Sequence, residues 1–328
     1  EKDTMIMGAT DATFTDASFE HVKNVEVIQL EEEDADLSFI SGSNINANFA
    51  SAMTLDLATG MASGVDDDIK VTVDMGAYTG DATVLLTSAT DGQTAGDDLS
   101  VTTGSGNDTV TVTAASFTGA SNTSEILIST GAGADTITLE TSTLASAIAN
   151  NVITAGKGAD TISLTSTNGN AALKSTTFAI AAGDSEASGY DVITGFNLAT
   201  ASLHSDSLDL AAVTVSANTA GTNGTDSGTL KSHAITSGII TFDDADLFAT
   251  ALVLGKSDLD AALTYVNTNI TGTDTVAFVY DSTGNGTADS TMVFQQGATY
   301  DTVVSLMSVT AGSITATGAT TADLIHIM

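Results

Sequence analysis

The sequence predicts an all-β chain: a right-handed parallel β-solenoid followed by a β-rich cap with a minor helical part. Two observations lead to this fold class. Short segments rich in β-branched residues alternate between apolar and polar positions, which is typical of half-buried strands. In addition, a Gly-Asp motif recurs at nearly constant spacing in the middle of the chain, and such internal repetition is typical of solenoids.

The composition limits the classes of protein to which the chain can belong. Its 328 residues include 7 basic and 41 acidic side chains, a formal net charge of −34, and no Cys, Pro or Trp. Such an acidic surface repels phosphate backbones and anionic lipids, so we expect no nucleic-acid partner. No apolar run approaches the ~20 residues that a transmembrane helix needs, so we also expect no membrane insertion. The absence of cysteine excludes disulfides and thiolate metal sites. A hydrophobic fraction of 42% argues against a disordered chain, because it allows a large core.

The first part of the chain, residues 1–98, is predicted to be a β-rich segment, either solenoid or sandwich. Its candidate strands are separated by Gly, Asp, Ser and Thr. They lie at residues 25–30, 37–40, 53–57, 69–75 and 83–87, and the next part opens with a further candidate strand at 99–102. The acidic stretches 31–36 and 66–68 fall between strands and are interpreted as solvated loops.

The middle part, residues 99–210, contains three copies of the pattern x-G-x-G-x-D-T-[VI]-[TS]. The aspartates of the copies, Asp108, Asp135 and Asp160, are 27 and then 25 residues apart. A strand precedes each copy and another follows it, so each period supplies the two strands of one solenoid coil. The apolar residue after each Asp-Thr pair is expected to face the core, with the flanking Thr or Ser facing outward. A degenerate fourth copy occupies residues 183–191 and precedes a strand at 192–194.

The repeated turn has the chemistry of a calcium site. Glycine permits a close backbone approach, so carbonyl oxygens can converge on one point where the Asp carboxylate adds a hard anionic oxygen. Stacked turns bring two such sets together, and Ca²⁺ prefers about six to eight oxygens. We therefore predict several Ca²⁺ ions, against the alternative of Gly-Asp turns that need no metal. The predicted ligand residues are Gly104, Gly106, Asp108, Gly131, Gly133, Asp135, Gly156, Gly158 and Asp160, with Asp184 and Asp191 in the degenerate copy.

The last part, residues 211–328, is predicted to be a β-rich domain for assembly that also carries a secretion signal. A short helix is predicted at 257–266 with Ser257 as its N-cap, strands at 276–280 and 291–295, and a helical turn or two at 301–309. The loop between the two strands follows the spacing of an EF-hand through its first nine positions, with Met292 where the last ligand would be. A calcium loop within a hairpin is predicted, and an ordinary Asn-Gly turn is the alternative. Its predicted ligands are Asp281, Thr283, Asn285 and Asp289.

The sequence offers little for catalysis. It contains neither H-E-x-x-H nor G-x-S-x-G, and its four histidines, His21, His204, His233 and His326, are scattered. We therefore expect that the chain is not an enzyme. A carbohydrate-active β-helix enzyme is a minor alternative.

The Gly-Asp copies resemble the G-G-x-G-x-D-x-U-x nonapeptide of RTX proteins, which are calcium-binding β-rolls exported by type I secretion. Two features depart from that pattern: Thr103, Thr130 and Ala155 replace the first glycine, and the period is about 25 residues instead of tandem nines. Residues 189–196 and 207–210 also resemble the segment that usually terminates such repeats. The resemblance covers about residues 100–210.

The composition and the repeats together resemble those of RTX-related, Caulobacter-type bacterial surface-layer (S-layer) proteins. Residues 19–30 also resemble strand segments that recur in such proteins, although this match is weaker. This resemblance implies a secreted structural protein that self-assembles with Ca²⁺ into a lattice on the cell surface. Because the sequence starts at Glu1 with neither an initiating Met nor a signal-peptide pattern, we also expect it to be the C-terminal part, or a processed form, of a longer polypeptide, whose upstream region would contact cell-surface polysaccharide. The alternative is the calcium-binding C-terminal region of an RTX adhesin or secreted hydrolase.

Overall fold

The structure, a computed structural model, describes residues 3–8, 13–31, 37–49, 51–57, 70–88, 98–114, 125–141, 151–165, 175–198, 205–211, 213–272, 274–299, 301–317 and 324–328. Strands make up 53% of the structure, with two helices, and they form a parallel β-solenoid of about eight turns, so the predicted fold class is confirmed. The chain divides into two compact units, Glu1–Thr177 and Phe178–Met328. The acidic stretches 32–36 and 66–68 lie outside the described residues, as does His204.

Unit 1 consists of two rows of parallel strands that alternate along the chain. The odd-numbered row contains β1 (Thr4–Gly8), β3 (Val27–Glu31), β5 (Ala52–Leu57), β7 (Asp81–Ser88), β9 (Thr109–Ala114), β11 (Thr136–Thr141) and β13 (Thr161–Thr165). The even-numbered row contains β2 (Thr13–Phe14), β4 (Leu37–Ile40), β6 (Lys70–Asp74), β8 (Asp98–Thr102), β10 (Ile126–Ser129) and β12 (Asn151–Thr154). Strand β14 (Thr176–Ile180) contains the boundary between the units. Two consecutive strands thus form one coil, and the described strands β1 to β7 of the first 98 residues pair in parallel, which is the pairing of a solenoid.

The core of unit 1 is built from stacks of equivalent side chains. In the odd row Val84, Val110, Ile137 and Ile162 are paired in register from β7 to β13, and all four are buried. The threonines that flank them are half-buried or exposed, so the predicted inward and outward positions are confirmed. Apolar stacking of this kind explains why a period near 25 residues is repeated: each coil must present its apolar residues at the level of its neighbours.

Two short helical segments interrupt the strands of unit 1, a 3₁₀-helix (Asp16–Phe19) and α1 (Ser43–Asn48). The carboxylate of Asp16 accepts hydrogen bonds from the N–H groups of Asn44 and Ile45, both at 3.0 Å. The N-terminus of α1 is therefore capped by a residue of another coil. The sequence did not predict α1, because its capping residue is distant in the chain.

The strands of unit 2 pair mostly in antiparallel fashion. Its first sheet has the order β15-β24-β23-β22-β20-β19-β18, with β17 and β21 beside β22, and its second sheet has the order β16-β26-β25. The strands are β15 (Asp191–Thr194), β16 (Ser207–Leu210), β17 (Thr214–Val215), β18 (Thr219–Ser227), β19 (Leu230–Thr236), β20 (Ile239–Asp243), β21 (Leu254–Gly255), β22 (Asp274–Asp281), β23 (Ser290–Gln295), β24 (Thr302–Met307), β25 (Ile314–Thr317) and β26 (Leu324–Ile327). The predicted strands at 276–280 and 291–295 correspond to β22 and β23.

The helix of unit 2 covers the core formed with the first sheet. A 3₁₀-turn (Lys256–Asp258) leads into α2 (Leu259–Asn269), whose inner side chains join one hydrophobic cluster with β19, β20, β22, β23 and β24. The predicted helix is thus present, but Ser257 is not its N-cap; the Asp258 carboxylate accepts the N–H of Gly255 (2.8 Å) at that end. The helical turns predicted at 301–309 are wrong. That segment is β24, because Thr302, Val303 and Val304 are β-branched, buried and paired with β23.

Candidate metal site

The three Gly-x-Gly-x-Asp segments form corners that connect the two rows of strands in unit 1. They join β8 to β9, β10 to β11, and β12 to β13. Neighbouring corners are hydrogen bonded to each other: the N–H of Ala132 donates to the carbonyl of Gly104 (3.1 Å), and the N–H of Lys157 donates to the carbonyl of Gly131 (2.8 Å). Isolated parallel bridges connect Ser105, Ala132 and Lys157. The corners therefore continue the hydrogen-bond ladder of the strands around the coil.

Glycine is needed at the corners because adjacent coils lie too close for a side chain. Gly133 has a φ of 153°, and a Cβ there would lie 1.7 Å from the carbonyl oxygen of Gly106. Gly158 repeats this arrangement, with the carbonyl oxygen of Gly133 only 1.6 Å from the position of a Cβ. A Cβ would also meet a carbonyl of the preceding coil at Gly104, Gly131 and Gly156. The six predicted glycines thus lie at the corners, where the close approach accounts for their presence.

The three repeat aspartates form a column along the inside of the corners, which we call the Asp column. The Oδ1 atom of Asp108 accepts the N–H of Ala82 (2.7 Å), that of Asp135 accepts the N–H of Asp108 (2.8 Å), and that of Asp160 accepts the N–H of Asp135 (2.8 Å). Each of the three residues is only 1% exposed. One oxygen of every carboxylate therefore holds its coil to the preceding coil.

The second carboxylate oxygen, Oδ2, is the atom of the Asp column that could bind a cation. Oδ2 of Asp108 and Oδ2 of Asp135 are buried and accept no well-aligned hydrogen bond from the described residues, while the hydroxyls of Thr103 and Thr130 lie close enough to these carboxylates to counter part of the rise in their pKa. The nearby hydroxyl of Thr103 is directed at the carbonyl of Thr130 (2.9 Å). Lys157, the one basic side chain in the corners, is exposed to solvent.

The column concentrates negative charge in a buried place. Burial raises the pKa of the Asp108 carboxyl, and burial, with a smaller contribution from the charges of Asp160 and Asp108, raises the pKa of Asp135 to about 6. Adjacent strands in a sheet are about 4.8 Å apart, so ionised carboxylates on successive coils repel one another. Burying such charges is unfavourable unless protons or cations compensate them.

The atoms at the corners that could hold a cation are oxygens of carboxylates and backbone carbonyls. Among the described residues no three His, Cys, Asp or Glu side chains converge on one point. A cation at the Asp column would be held by one or two carboxylates together with backbone carbonyls, each of which keeps a second lone pair after accepting one N–H. Oxygen-only ligation with carbonyls is the preference of Ca²⁺.

In two of the three copies the first position has a structural role that the sequence did not predict. The hydroxyls of Thr103 and Thr130 are buried and donate to the carbonyls of Thr130 (2.9 Å) and Ala155 (2.8 Å) in the following coil. A threonine in place of the first RTX glycine therefore adds a side-chain bond between coils. The signal in the sequence was the recurrence of Thr at that position in two copies.

The degenerate fourth copy has a different geometry from the other three. Asp184 is half-buried, and its Oδ2 accepts the N–H of Ala181 (3.0 Å) within its own turn. Asp191 is buried at the start of β15, and its N–H donates to the hydroxyl of Ser185 (2.7 Å). The structure therefore places Asp184 in a local turn and Asp191 at a strand end.

The loop between β22 and β23 in unit 2 brings together three of its four predicted ligand residues. Oδ1 of Asp281 accepts the N–H of Thr283 (3.0 Å), Oδ1 of Asp289 accepts the N–H of Ser282 (2.8 Å), and the Thr283 hydroxyl donates to Oδ2 of Asp289 (2.9 Å). Asn285 is exposed, and its Oδ1 accepts the N–H of Thr287 (2.8 Å).

Both carboxylates of this loop favour the ionised form. Burial acts to raise the pKa of Asp281, but hydrogen bonds from Gly286, Gly284 and other backbone N–H groups hold it below its usual value. The N–H of Ser282 is the largest cause that lowers the pKa of Asp289 to about 2. The loop thus holds two negative charges at neutral pH, with oxygens that are already occupied by N–H donors.

No helix in the described part of the chain is long and apolar enough to span a membrane. Comparisons with protein-family models, with curated proteins and with solved structures return no match for this chain.

Proposed function

We propose that the chain is a structural, non-catalytic protein that binds several Ca²⁺ ions and self-assembles into a bacterial cell-surface layer after type I secretion. The observation that carries the proposal is the Asp column, in which carboxylates are buried on successive coils and Oδ2 of Asp108 and of Asp135 lies buried without a basic partner among the described corner residues. The resemblance of these corners to RTX turns supports calcium as the ion. The 281–289 loop supplies a further candidate position in unit 2.

Calcium would make folding depend on whether the chain is inside or outside the cell. In the cytosol, where free calcium is scarce, repulsion within the Asp column and across a net charge of −34 favours a loose chain that can be exported. Outside the cell, millimolar Ca²⁺ exceeds the dissociation constants of about 10⁻⁴–10⁻³ M that are typical of extracellular modules. A site at ten times its Kd contributes roughly 1.4 kcal/mol, so several sites can determine whether a marginal fold forms.

The test of the calcium site uses Asp135→Asn, which keeps an Oδ1 acceptor for the N–H of Asp108 and removes the negative charge. The matched control is Asp98→Asn, because Asp98 is exposed and its Oδ1 also accepts an N–H of the next coil, that of Glu125 (3.1 Å). Urea unfolding is measured in EGTA and in millimolar CaCl₂. We expect wild type and Asp98→Asn to gain similar stability from Ca²⁺, and Asp135→Asn to gain less by about 1.4 kcal/mol.

An equal gain in all three proteins would show that the Asp column binds no calcium. If, in addition, Asp135→Asn were more stable than wild type in EGTA, the column would be a purely hydrogen-bonded ladder that carries an unfavourable charge.

Assembly is tested separately by negative-stain electron microscopy of the purified chain before and after addition of Ca²⁺. An ordered sheet that EGTA dissolves is the expected result. A strictly monomeric chain at millimolar Ca²⁺ would instead favour the calcium-binding region of an RTX adhesin or secreted hydrolase.

A further inference from the structure

The sulfur atom of Met307, the last residue of β24, lies among three hydroxyl groups. The hydroxyl of Tyr280 donates to Sδ (3.4 Å), and the hydroxyls of Ser305 and Ser290 lie 3.7 Å and 4.0 Å from it. Tyr280, Ser290 and Ser305 are each at most 2% exposed, and we call these three residues the hydroxyl cluster. A thioether is only a weak acceptor, so the hydroxyl cluster surrounds Sδ with donors that a stronger acceptor would use better.

The other hydrogen bonds of the hydroxyl cluster make Tyr280 the main donor to the sulfur. Oη of Tyr280 and Oγ of Ser305 are 2.7 Å apart, so a proton that Ser305 donates to Tyr280 leaves the Tyr280 proton directed at Sδ. The Ser290 hydroxyl donates to Oδ1 of Asp289 (3.0 Å) and accepts the N–H of Ser308 (3.1 Å). The Tyr280 hydroxyl is therefore the group whose removal tests the role of the hydroxyl cluster.

Met307 is also more accessible than the methionines of the core. It is half-buried, whereas Met53, Met75 and Met292 are at most 2% exposed. Oxidation requires contact between the sulfur and the oxidant, so susceptibility follows exposure. A small oxidant therefore reaches Met307 in the folded chain, at a position where polar groups surround the sulfur.

We infer that Met307 is an oxidation site whose product, methionine sulfoxide, is accommodated by folded unit 2. The oxidant is a hydroperoxide, H₂O₂ in the simplest case. A lone pair of Sδ attacks one peroxide oxygen, the O–O bond breaks, and the other oxygen leaves as water with the proton of the transferred oxygen, so sulfur is oxidised and the peroxide is reduced. A sulfoxide usually disrupts an apolar core because it is polar. At this position its oxygen accepts the proton of Tyr280, in a stronger hydrogen bond than the one it replaces.

The first test is a time course of wild type with H₂O₂ under native conditions, followed by peptide mapping with mass spectrometry. We expect Met307 to gain one oxygen at least about tenfold faster than Met53, Met75 and Met292, whose oxidation requires local opening. Met328, which is 42% exposed, gives the rate of a methionine in contact with solvent. Oxidation of Met307 no faster than that of the three core methionines would overturn the inference.

The second test separates an accommodated sulfoxide from damage to the core. Urea unfolding is measured before and after oxidation for wild type, Met307→Leu, Tyr280→Phe and Tyr265→Phe. Met307→Leu gives the effect of oxidation at all other methionines. Tyr265→Phe is the matched control, because it removes a buried hydroxyl of the same core, one that lies 3.1 Å from His233 Nδ1.

Oxidation is expected to destabilise wild type no more than Met307→Leu. In Tyr280→Phe we expect oxidation to raise the unfolding equilibrium constant about fivefold beyond its effect on Tyr265→Phe, because the sulfoxide then lacks its donor. An equal loss of stability in wild type and Tyr280→Phe would show that the hydroxyl cluster does not hold the sulfoxide. If Tyr280→Phe does not fold, the comparison of wild type with Met307→Leu decides alone.

Discussion

At the scale of single residues, Asn151 conflicts with the core around it. It is 1% exposed, and neither Oδ1 nor Nδ2 has a hydrogen-bond partner among the described residues. In the register of the even row it pairs with Ile126, which pairs with Leu99, so the amide occupies a level at which the two preceding coils place aliphatic side chains. Leaving a buried polar group unsatisfied costs about 1–3 kcal/mol.

We expect Asn151→Val to stabilise unit 1 by about 1–2 kcal/mol, because it removes two unsatisfied polar atoms and supplies a β-branched residue of similar size. Equilibrium urea unfolding measures the change. The reciprocal variant Ile126→Asn places a second amide one coil away and is expected to destabilise the unit. Should Asn151→Val lower the stability, the amide must be satisfied in solution, and an ordered internal water would be the first explanation to examine.

His233 is a buried histidine in the core of unit 2. It is 5% exposed, its Nδ1 lies 3.1 Å from the hydroxyl of Tyr265, and burial lowers its pKa below the ordinary value of 6.5. Burial likewise raises the pKa of Tyr265 to about 12, so the hydroxyl stays protonated. Both shifts indicate a pair that is kept neutral in an apolar environment.

The lowered pKa of His233 predicts a loss of stability on the acid side. The unfolded chain binds a proton at this residue at a higher pH than the folded chain does. The contribution of neutral His233 to the free energy of unfolding is therefore complete above pH 6.5, and it is lost as the pH falls from there through the pKa of His233 in the folded state. We expect the free energy of unfolding of wild type, relative to His233→Gln, to decrease as the pH is lowered from about 7 to about 5. A difference that stays constant over this range would contradict the neutral state of the buried imidazole.

At the scale of elements, the stability of unit 1 is expected to depend on the close backbone contact that the corner glycines allow between adjacent coils. We expect Gly133→Ala to destabilise unit 1 by more than about 3 kcal/mol, because the Cβ would combine positive-φ strain with a collision against the carbonyl of Gly106. Gly76→Ala in the same unit is the control: φ is not positive there, and the nearest atom to a Cβ is Asp74 Oδ1 at 3.3 Å. Chemical denaturation of both variants gives the comparison. Equal effects would mean that the corners can separate to admit a side chain.

The elements that the sequence predicted well are those with a repeated local pattern. The strands around Asp108, Asp135 and Asp160 could be predicted because the period is visible in the sequence and the apolar residue after each Asp-Thr pair must face the core. The segment β24 could not, because whether 301–309 pairs as a strand depends on contact with β23. Likewise, the Gly-Asp motif indicated where the carboxylates lie, but their hydrogen bonds to the preceding coil depend on how closely the coils stack.

At the scale of the whole molecule, the acidity has two different physical roles. The Asp column is buried, so its charge acts at short range and responds to a bound cation or proton. Most of the 41 acidic residues lie outside the repeats, where they act through long-range repulsion that salt screens. A calcium ion can affect both, whereas an inert monovalent salt can affect only the second.

This distinction predicts an order among salts at equal ionic strength. NaCl shortens the Debye length and is expected to stabilise the chain modestly. MgCl₂ adds a divalent charge but prefers octahedral sites with retained water, whereas CaCl₂ accepts irregular sets of carboxylates and carbonyls. We therefore expect the midpoint of urea unfolding to rise in the order NaCl, MgCl₂, CaCl₂, with the excess of Ca²⁺ over Mg²⁺ reduced in Asp135→Asn. Equal midpoints in the three salts would show that the charge is only screened, and the calcium sites would have to be abandoned.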